Sequence, residues 1–351
     1  MRKLASIQRI KAIAPIEGAD NIEVASVLGW KVVVRKGEFQ VGQQAIYMEI
    51  DSIPPDTPVF SFLWKDVSPR PASYRIKTIK LRGQVSQGIL FPLHILGPLD
   101  TWDGRDVTEH LGVTKYEAPL PQGSNDVCGP FFDGVPKTDE ERVQSELGMS
   151  ILEELQGQFV YVTVKCDGSS MTIAKTETID HGQDIAELDG GPRFGYGGSV
   201  GVASRNWNLT ETPSSAYWRA AHANNDALID LIVDQPWLAV QGELVGPGIQ
   251  GNRLGFTEHK CLVFDIYHRN EGRYLSIEEM EALAEIWGFS LVPLIDKGFE
   301  LSYTAEDLLY MAEGKYDGTD NEREGIVIRS MDGKRLSIKA ISNRFLLKGG
   351  E

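Results

Sequence analysis

Lys165 lies in KCDGSS (165–170), directly after the run QFVYVTV and one residue before an Asp-Gly pair. In that run Phe159, Tyr161 and Thr163 alternate with Val160, Val162 and Val164, residue types that favour a pleated strand. Asp-Gly offers a tight turn, and residues 170–174 resume β-type residues, so a strand–turn–strand hairpin is expected with Lys165 at its mouth. A lysine mounted on a stiff element is a covalent nucleophile when its amine is kept neutral. A solvated lysine before a turn would have the same local sequence. K-x-D-G also occurs a second time, as KYDG at 315–318.

Further polar residues follow Lys165, each at the end or edge of a β-like run: Arg205 in ASRN, Glu243 in VQGELVG, Asp265 in VFDIY, Glu324 opening EGIVI, and Lys339 within RLSIKA. Taken one at a time, each has an ordinary explanation as a strand cap, a turn residue or a solvated edge lysine. Taken together they form one chemistry. Attack on a nucleotide α-phosphate needs a deprotonated lysine, whose reference pKa is about 10.4. Arg205, Lys339 or a divalent metal close by would depress that pKa. Glu324 could hold Mg²⁺, which takes oxygen ligands and bridges phosphates. Phe264 could stack on a base.

Two patterns are decoys. GPGIQG (246–251) matches G-x-G-x-x-G, but the dinucleotide fingerprint needs a helix at once, and residues 252–257 lead toward another strand. KYDG follows an amphipathic helix and runs into polar residues, so no strand fixes Lys315. There is no phosphate loop of the G-x-x-x-x-G-K-[ST] type and no serine nucleophile elbow. The six histidines show no paired metal-ligand spacing.

The elements that must position these residues divide the 351-residue chain in two. Residues 1–115 read as short β runs (23–35, 44–53, 74–81) punctuated by Gly and Pro, for which an OB-like barrel is the natural candidate. Residues 116–137 are rich in Pro and Gly and read as a linker. Residues 138–351 follow as an α+β domain with segregated elements. Its first helix is expected behind a Thr138/Glu141 capping box, with an apolar stripe of Val143, Leu147, Ile151, Leu152 and Leu155. Further helices are expected at 214–233, 276–287 and 304–313, and strands at 238–245, 260–267, 325–330 and 335–340.

Composition is that of an ordinary globular protein, with 42% hydrophobic and 24% charged residues. No apolar run has the length of a membrane helix, the N-terminus lacks the core of a signal peptide, and three scattered cysteines suggest neither disulfides nor zinc. A reducing, cytoplasmic location is expected, with the nucleus left open, and no membrane partner. The net charge of −15 argues against a polyanionic partner at face value. Yet residues 67–99 hold Arg70, Arg75, Lys77, Lys80 and Arg82 with no acid between them, and residues 333–350 hold Lys334, Arg335, Lys339, Arg344 and Lys348 likewise. Such basic stretches on an acidic body suit a localised nucleic-acid site; ordinary solvated faces would look the same.

The order of motifs resembles the covalent nucleotidyltransferase superfamily of ATP-dependent ligases and capping enzymes. KCDGSS is similar to motif I, SRN (204–206) to motif Ia, GEL (242–244) to motif III, FDI (264–266) to motif IIIa, EGIVI (324–328) to motif IV and SIKA (337–340) to motif V. GELVGPGIQ (242–250) resembles RNA-editing-type ligases. GWKVVVRKGEF, YMEIDSIPP and YRIKTIKLRGQVSQGILFPL resemble the N-terminal OB module of Deinococcus-type RNA ligases. Few residues follow SIKA, so the C-terminal OB domain of DNA ligases and capping enzymes is not expected.

The resemblance implies an OB-like barrel followed by an adenylyltransferase (ATP-grasp-like ligase) domain. It implies an ATP-dependent RNA ligase using Mg²⁺ or Mn²⁺ and carrying AMP as a covalent adduct on Lys165. Arg205 and Glu243 would contact the nucleotide, Glu243 at the ribose; Phe264 would stack on adenine, Glu324 would bind metal, and Lys339 would contact the α-phosphate. Relatives often carry a glutamate just before the lysine; here Thr163 and Val164 stand there, so adenine would be read by Thr163 and backbone groups. Ser337 replaces a second lysine of motif V, for which Lys334 or Arg335 would substitute. The expected partner is RNA, as a nicked duplex or an RNA/DNA hybrid, and the expected state is monomeric. A DNA ligase, a capping-type guanylyltransferase and a non-catalytic binding protein with a ligase fold are the competing readings.

Overall fold

The computed structural model describes residues 3–65, 73–116, 127–176, 200–332 and 334–349. Arg70 and residues 117–126 of the expected linker lie outside them.

In the N-terminal part, alternation of apolar and polar residues sets the strands. Trp30–Arg35 buries every second side chain, as a half-covered strand must. It forms a three-stranded antiparallel sheet with Ile22–Val27 and Ala12–Pro15. Ala5–Arg9, Gln44–Met48 and Ile89–Phe91 form a second such sheet, and Thr78–Leu81 makes a hairpin with Gln84–Gln87. All surround one core that includes Ile7, Trp30, Ile46, Tyr47, Met48 and Phe91. Lys77, Lys80 and Arg82 stand exposed on the hairpin, whereas Arg75 is tied to Asp51 at 2.6 Å.

The rest of the chain builds two sheets. The five-stranded sheet runs Glu141–Arg142, Ser337–Ile341, Gly325–Ser330, Phe159–Lys165, Leu294–Glu300; the seven-stranded sheet runs Val127–Pro130, Trp207–Leu209, Val200–Ala203, Ser169–Lys175, Leu238–Val245, Lys260–His268, Arg273–Tyr274. Every pairing is antiparallel except that of Glu141–Arg142 with Ser337–Ile341. Val160, Val162, Ile326, Ile328 and Ile338 pack on one face of the smaller sheet, against Leu152 and Leu155 of helix Glu146–Leu155 and Leu308 of helix Ala305–Ala312. The larger sheet is covered by Ala216–Ala221, Ala223–Asp234 and Ile277–Trp287.

Several expectations change here. The strands either side of the Asp-Gly turn do not pair with each other: Phe159–Lys165 belongs to the smaller sheet and Ser169–Lys175 to the larger. Lys165 is therefore where the chain crosses between sheets. Alternation predicts each strand but says nothing about its partner. The Thr138/Glu141 pair caps no helix: Glu141–Arg142 is a strand, and the helix begins at Glu146 behind Ser145, whose hydroxyl accepts from the Gly148 N–H at 3.0 Å. Val143 is buried outside that helix, and Leu147 is exposed on it. Val127–Pro130, inside the expected linker 116–137, is a strand of the larger sheet. The helix expected at 214–233 is interrupted by Asn224, Asn225 and Asp226 in left-handed conformation, which Asn and Asp tolerate better than most residues. The helix Ile277–Trp287 has its Ser276/Glu279 capping box and ends at Gly288 as expected.

The two parts meet directly. The Gly29 N–H donates to the Gln144 carbonyl at 3.1 Å, Lys3 pairs with Glu146 at 2.9 Å, and Asp51 takes Arg142 at 3.5 Å.

Candidate active site

Antiparallel partners directly opposite one another share a face of the sheet. Tyr161 is opposite Arg329, Thr163 opposite Val327, and Val327 opposite Lys339. These side chains, with Lys165, thus project from the face that does not carry the aliphatic core. On the larger sheet the register moves from Gln241↔Asp265 to Gly242↔Val263, which leaves Phe264 as the extra residue of a bulge. Bulges re-aim side chains, and Phe264 lines a cavity of about 50 Å³ together with Thr163 and Tyr161. Val164 packs in the same cluster as Phe264, and its N–H is taken by the Pro293 carbonyl at 2.8 Å. That amide is not free to read a base.

Two glycines let the strands close around Lys165. A Cβ on Gly168 would collide with the Leu244 carbonyl oxygen and the Glu243 side chain; one on Gly325 would collide with the Ala340 carbonyl oxygen. The glycines of both D-G and E-G are thus demanded by packing.

The Lys165 amine lies 2.8 Å from the Glu324 carboxylate, with 22% and 8% of the two side chains exposed. Burial acts to lower the Lys165 pKa, but Glu324 and Glu243 outweigh it and hold the amine above the usual lysine range. The immediate neighbours of its amine are thus carboxylates, whereas nearby cations or a bound divalent metal were expected to lower its pKa. Burial pushes the Glu243 carboxyl up to about 8; Lys165 opposes the shift and Glu324 adds to it.

The expected cations are engaged elsewhere. Asp139 sits 2.7 Å from Arg205, 3.4 Å from Lys339 and 3.9 Å from Lys115. Burial holds the Lys339 amine below its usual range; Asp139 opposes the shift, and Lys165 adds to it. Arg205 itself is half exposed, in the turn between Val200–Ala203 and Trp207–Leu209.

Behind Thr163 and Phe264 is a buried ion cluster. Arg329, 3% exposed, lies 3.1 Å from Glu140 and 3.7 Å from Asp265. Arg335 lies 3.2 Å from Glu140 and 2.8 Å from Asp265. Arg329 also donates to the Thr163 hydroxyl at 3.1 Å and stands 5.7 Å from the centre of the Phe264 ring. Burial works to raise the Glu140 pKa, but Arg329 and Arg335 bring it down to about 2. The C-terminal basic stretch is thus matched by acids throughout: Arg335 and Lys339 are mostly buried, beside Glu140 and Asp265 and beside Asp139, and the exposed Lys334, Arg344 and Lys348 pair with Asp332, Glu313 and Glu322. Sequence order hides these acids, because most come from distant segments.

Asp139, Glu140, Val327 and Arg329 were not anticipated. Arg329 alone left a trace: an arginine inside the apolar run GIVIRS, on the same alternation as Val327. The decoys behave as expected. Only a short 3-10 helix, Gln250–Asn252, overlaps the end of GPGIQG and no α-helix follows it before the strand Lys260–His268, and Lys315 is an exposed lysine paired with Asp320 at 2.7 Å.

Among the described residues no three His, Cys, Asp or Glu side chains form a ready metal cluster. Mg²⁺-type ions commonly use one or two carboxylates and complete their shell with phosphate and water. Glu324 with Glu243 beside it fits that donor set.

An OB-type module joined to a two-sheet domain, with a buried lysine beside two carboxylates and a second group of cations around Asp139, is the architecture of a nucleotidyl transferase. A family model described as an OB-fold domain matches residues 4–93, and one described as RNA ligase matches residues 158–341. Three structures of a Naegleria gruberi RNA ligase are similar throughout. A point mutant with AMP and Mn matches at TM-score 0.84 and 37% identity over 100% of both chains. Another mutant, with ATP and Mn, matches at 0.82 and 38% over 98% of both chains. The form with pyrophosphate matches at 0.83 and 37%, over 99% of this chain and 98% of the other. No curated protein matches the chain. The chain belongs to the RNA ligase family, with an N-terminal OB-fold domain followed by the ligase domain.

Proposed function

We propose that the protein is an ATP-dependent RNA ligase that seals 3′-hydroxyl and 5′-phosphate ends, with nicks in duplexes as its preferred substrate. The observation that carries this reading is Lys165 paired with Glu324 and close to Glu243 and Lys339, with Arg205 joined to Lys339 through Asp139, in a chain similar to structures that hold ATP, AMP, pyrophosphate and manganese.

The chemistry follows from the residues. Lys165 gives up its proton, and its Nζ attacks the α-phosphorus of ATP; the N–P bond forms as the bond to pyrophosphate breaks. The AMP then passes from Lys165 to an oxygen of the RNA 5′-phosphate. A 3′-hydroxyl attacks that phosphate, and AMP leaves as the phosphodiester forms. Lys339 and Arg205 neutralise phosphate oxygens, Phe264 and Val327 flank the base, Thr163 reads its edge, and Glu243 meets the ribose. Glu324 would hold a divalent cation, which would add charge neutralisation at the phosphates. The OB domain contributes the exposed Lys77, Lys80 and Arg82 as a grip on the nucleic acid.

Sealing of matched nicks with RNA or DNA on each side tests this reading. RNA at the 3′-hydroxyl side should be required. Equal sealing with DNA on both sides, or no sealing of any nick, would overturn it.

A further inference from the structure

The KYDG copy at 315–318 has a role that Lys315 does not explain. Lys315 is exposed, but its neighbour Tyr316 is 6% exposed. The Tyr316 hydroxyl accepts from the Asp167 N–H at 2.9 Å and from the Glu324 N–H at 3.0 Å, and donates to the Lys165 carbonyl at 3.2 Å. A phenolic hydroxyl has one proton and two lone pairs, so this uses its whole capacity. Each partner is a main-chain group of the segments that present Lys165 and Glu324.

The position of these bonds matters. Lys165↔Gly325 is the last rung between Phe159–Lys165 and Gly325–Ser330. Beyond it the first strand leaves for the other sheet, so no ladder bond can relate the Lys165 turn to Glu324. The Tyr316 hydroxyl supplies that missing rung. Its own backbone is held from the far side: the Tyr316 N–H donates to Asn321, the Asn321 side chain donates to the Arg253 carbonyl at 2.8 Å, and Arg253 pairs with Asp167 at 2.9 Å.

We propose that Tyr316 is a positioning residue whose hydroxyl fixes Lys165 against Glu324 for nucleotidyl transfer to the lysine. This rests on the reading of Lys165 as the AMP carrier. Tyr316→Phe keeps the buried ring and removes only the three bonds.

The test compares wild type, Tyr316→Phe, Lys315→Ala and Lys165→Ala. One assay follows covalent label transfer from α-labelled ATP with Mn²⁺; the other follows sealing of an RNA whose 5′ end is already adenylylated, which bypasses the lysine. For Tyr316→Phe the rate of label transfer at saturating ATP should fall at least tenfold. KM for ATP should change less than threefold, the half-saturating Mn²⁺ concentration should rise severalfold, and sealing of the pre-adenylylated end should keep more than a third of its rate. Lys315→Ala should match wild type. Label transfer by Tyr316→Phe at the wild-type rate, or a proportionate loss in both assays as a generally weakened fold would give, overturns the proposal. Absence of label on wild type, or equal label on Lys165→Ala, instead overturns the underlying reading of Lys165.

Discussion

The Lys165 amine and the Glu324 carboxylate stand 2.8 Å apart, at the point where the chain leaves one sheet for the other. Burial acts to lower the Lys165 pKa, but Glu324 and Glu243 favour the charged amine and hold its pKa above the usual lysine range. In Glu324→Gln the main anion is lost and the Lys165 pKa falls. Mapping of lysines modified by an amine-reactive reagent at pH 9 should show Lys165 labelled severalfold faster in Glu324→Gln than in wild type. AMP transfer should nonetheless fall more than a hundredfold, because the amide is a poor metal ligand. Slower modification of Lys165 in the variant would contradict the pairing.

Glu243 gives the site a pH signature of its own. Its carboxyl titrates near 8 in the folded protein and at the ordinary carboxylate value when unfolded. Between about pH 4.5 and 8 the unfolded chain releases this proton first, so stability falls with rising pH across that window. Glu243→Gln removes the term. The melting temperature of the variant minus that of wild type should therefore be larger at pH 8 than at pH 5, at about 2–4 °C for each kcal/mol relieved. A difference independent of pH would contradict the shift.

Arg329 is buried between Glu140 and Asp265 and reaches Thr163. Its removal leaves carboxylates without their main counter-charge, a loss of about 3–5 kcal/mol for a buried pair. Arg329→Met should lower the melting temperature by roughly 10 °C at neutral pH, and should weaken selection of ATP over GTP in the surviving enzyme as Thr163 loses its partner. Thermal melting and competition labelling with the two nucleotides measure both effects.

Asp139 sits among Arg205, Lys339 and Lys115. If these cations hold the ATP phosphates, as proposed, nucleotide binding has to displace Asp139 or share them. Asp139→Asn should lower KM for ATP by about two- to tenfold, since a 1.4 kcal/mol difference is tenfold in affinity, and should lower melting stability in the absence of nucleotide. A higher KM would show that Asp139 orients the cations instead of competing for them.

How much of this was legible in the sequence depends on range. The strands Leu238–Val245 and Gly325–Ser330 and the Ile277–Trp287 helix follow from alternation and capping within a few residues. The motif order singled out Lys165, Glu243 and Glu324, and the structure brings the three together, Lys165 at the end of its strand, Glu324 just before Gly325–Ser330 and Glu243 inside Leu238–Val245. Partners across the fold were not legible. Nothing local says that Phe159–Lys165 and Ser169–Lys175 join different sheets, that the Phe264 bulge turns its ring, or that Asp139 lies among three cations from distant segments. The carboxylate neighbours of Lys165 were hidden for the same reason: Glu324 and Glu243 come from segments that sequence order does not bring together.

The central claim is that Lys165, and not the second K-x-D-G lysine, carries AMP. The most direct measurement is incubation with α-labelled ATP and Mn²⁺, followed by peptide mapping of the labelled protein. The account predicts one AMP on the peptide containing Lys165, full labelling of Lys315→Ala and none of Lys165→Ala. Label on another residue, or on Lys165→Ala to the wild-type extent, would contradict it.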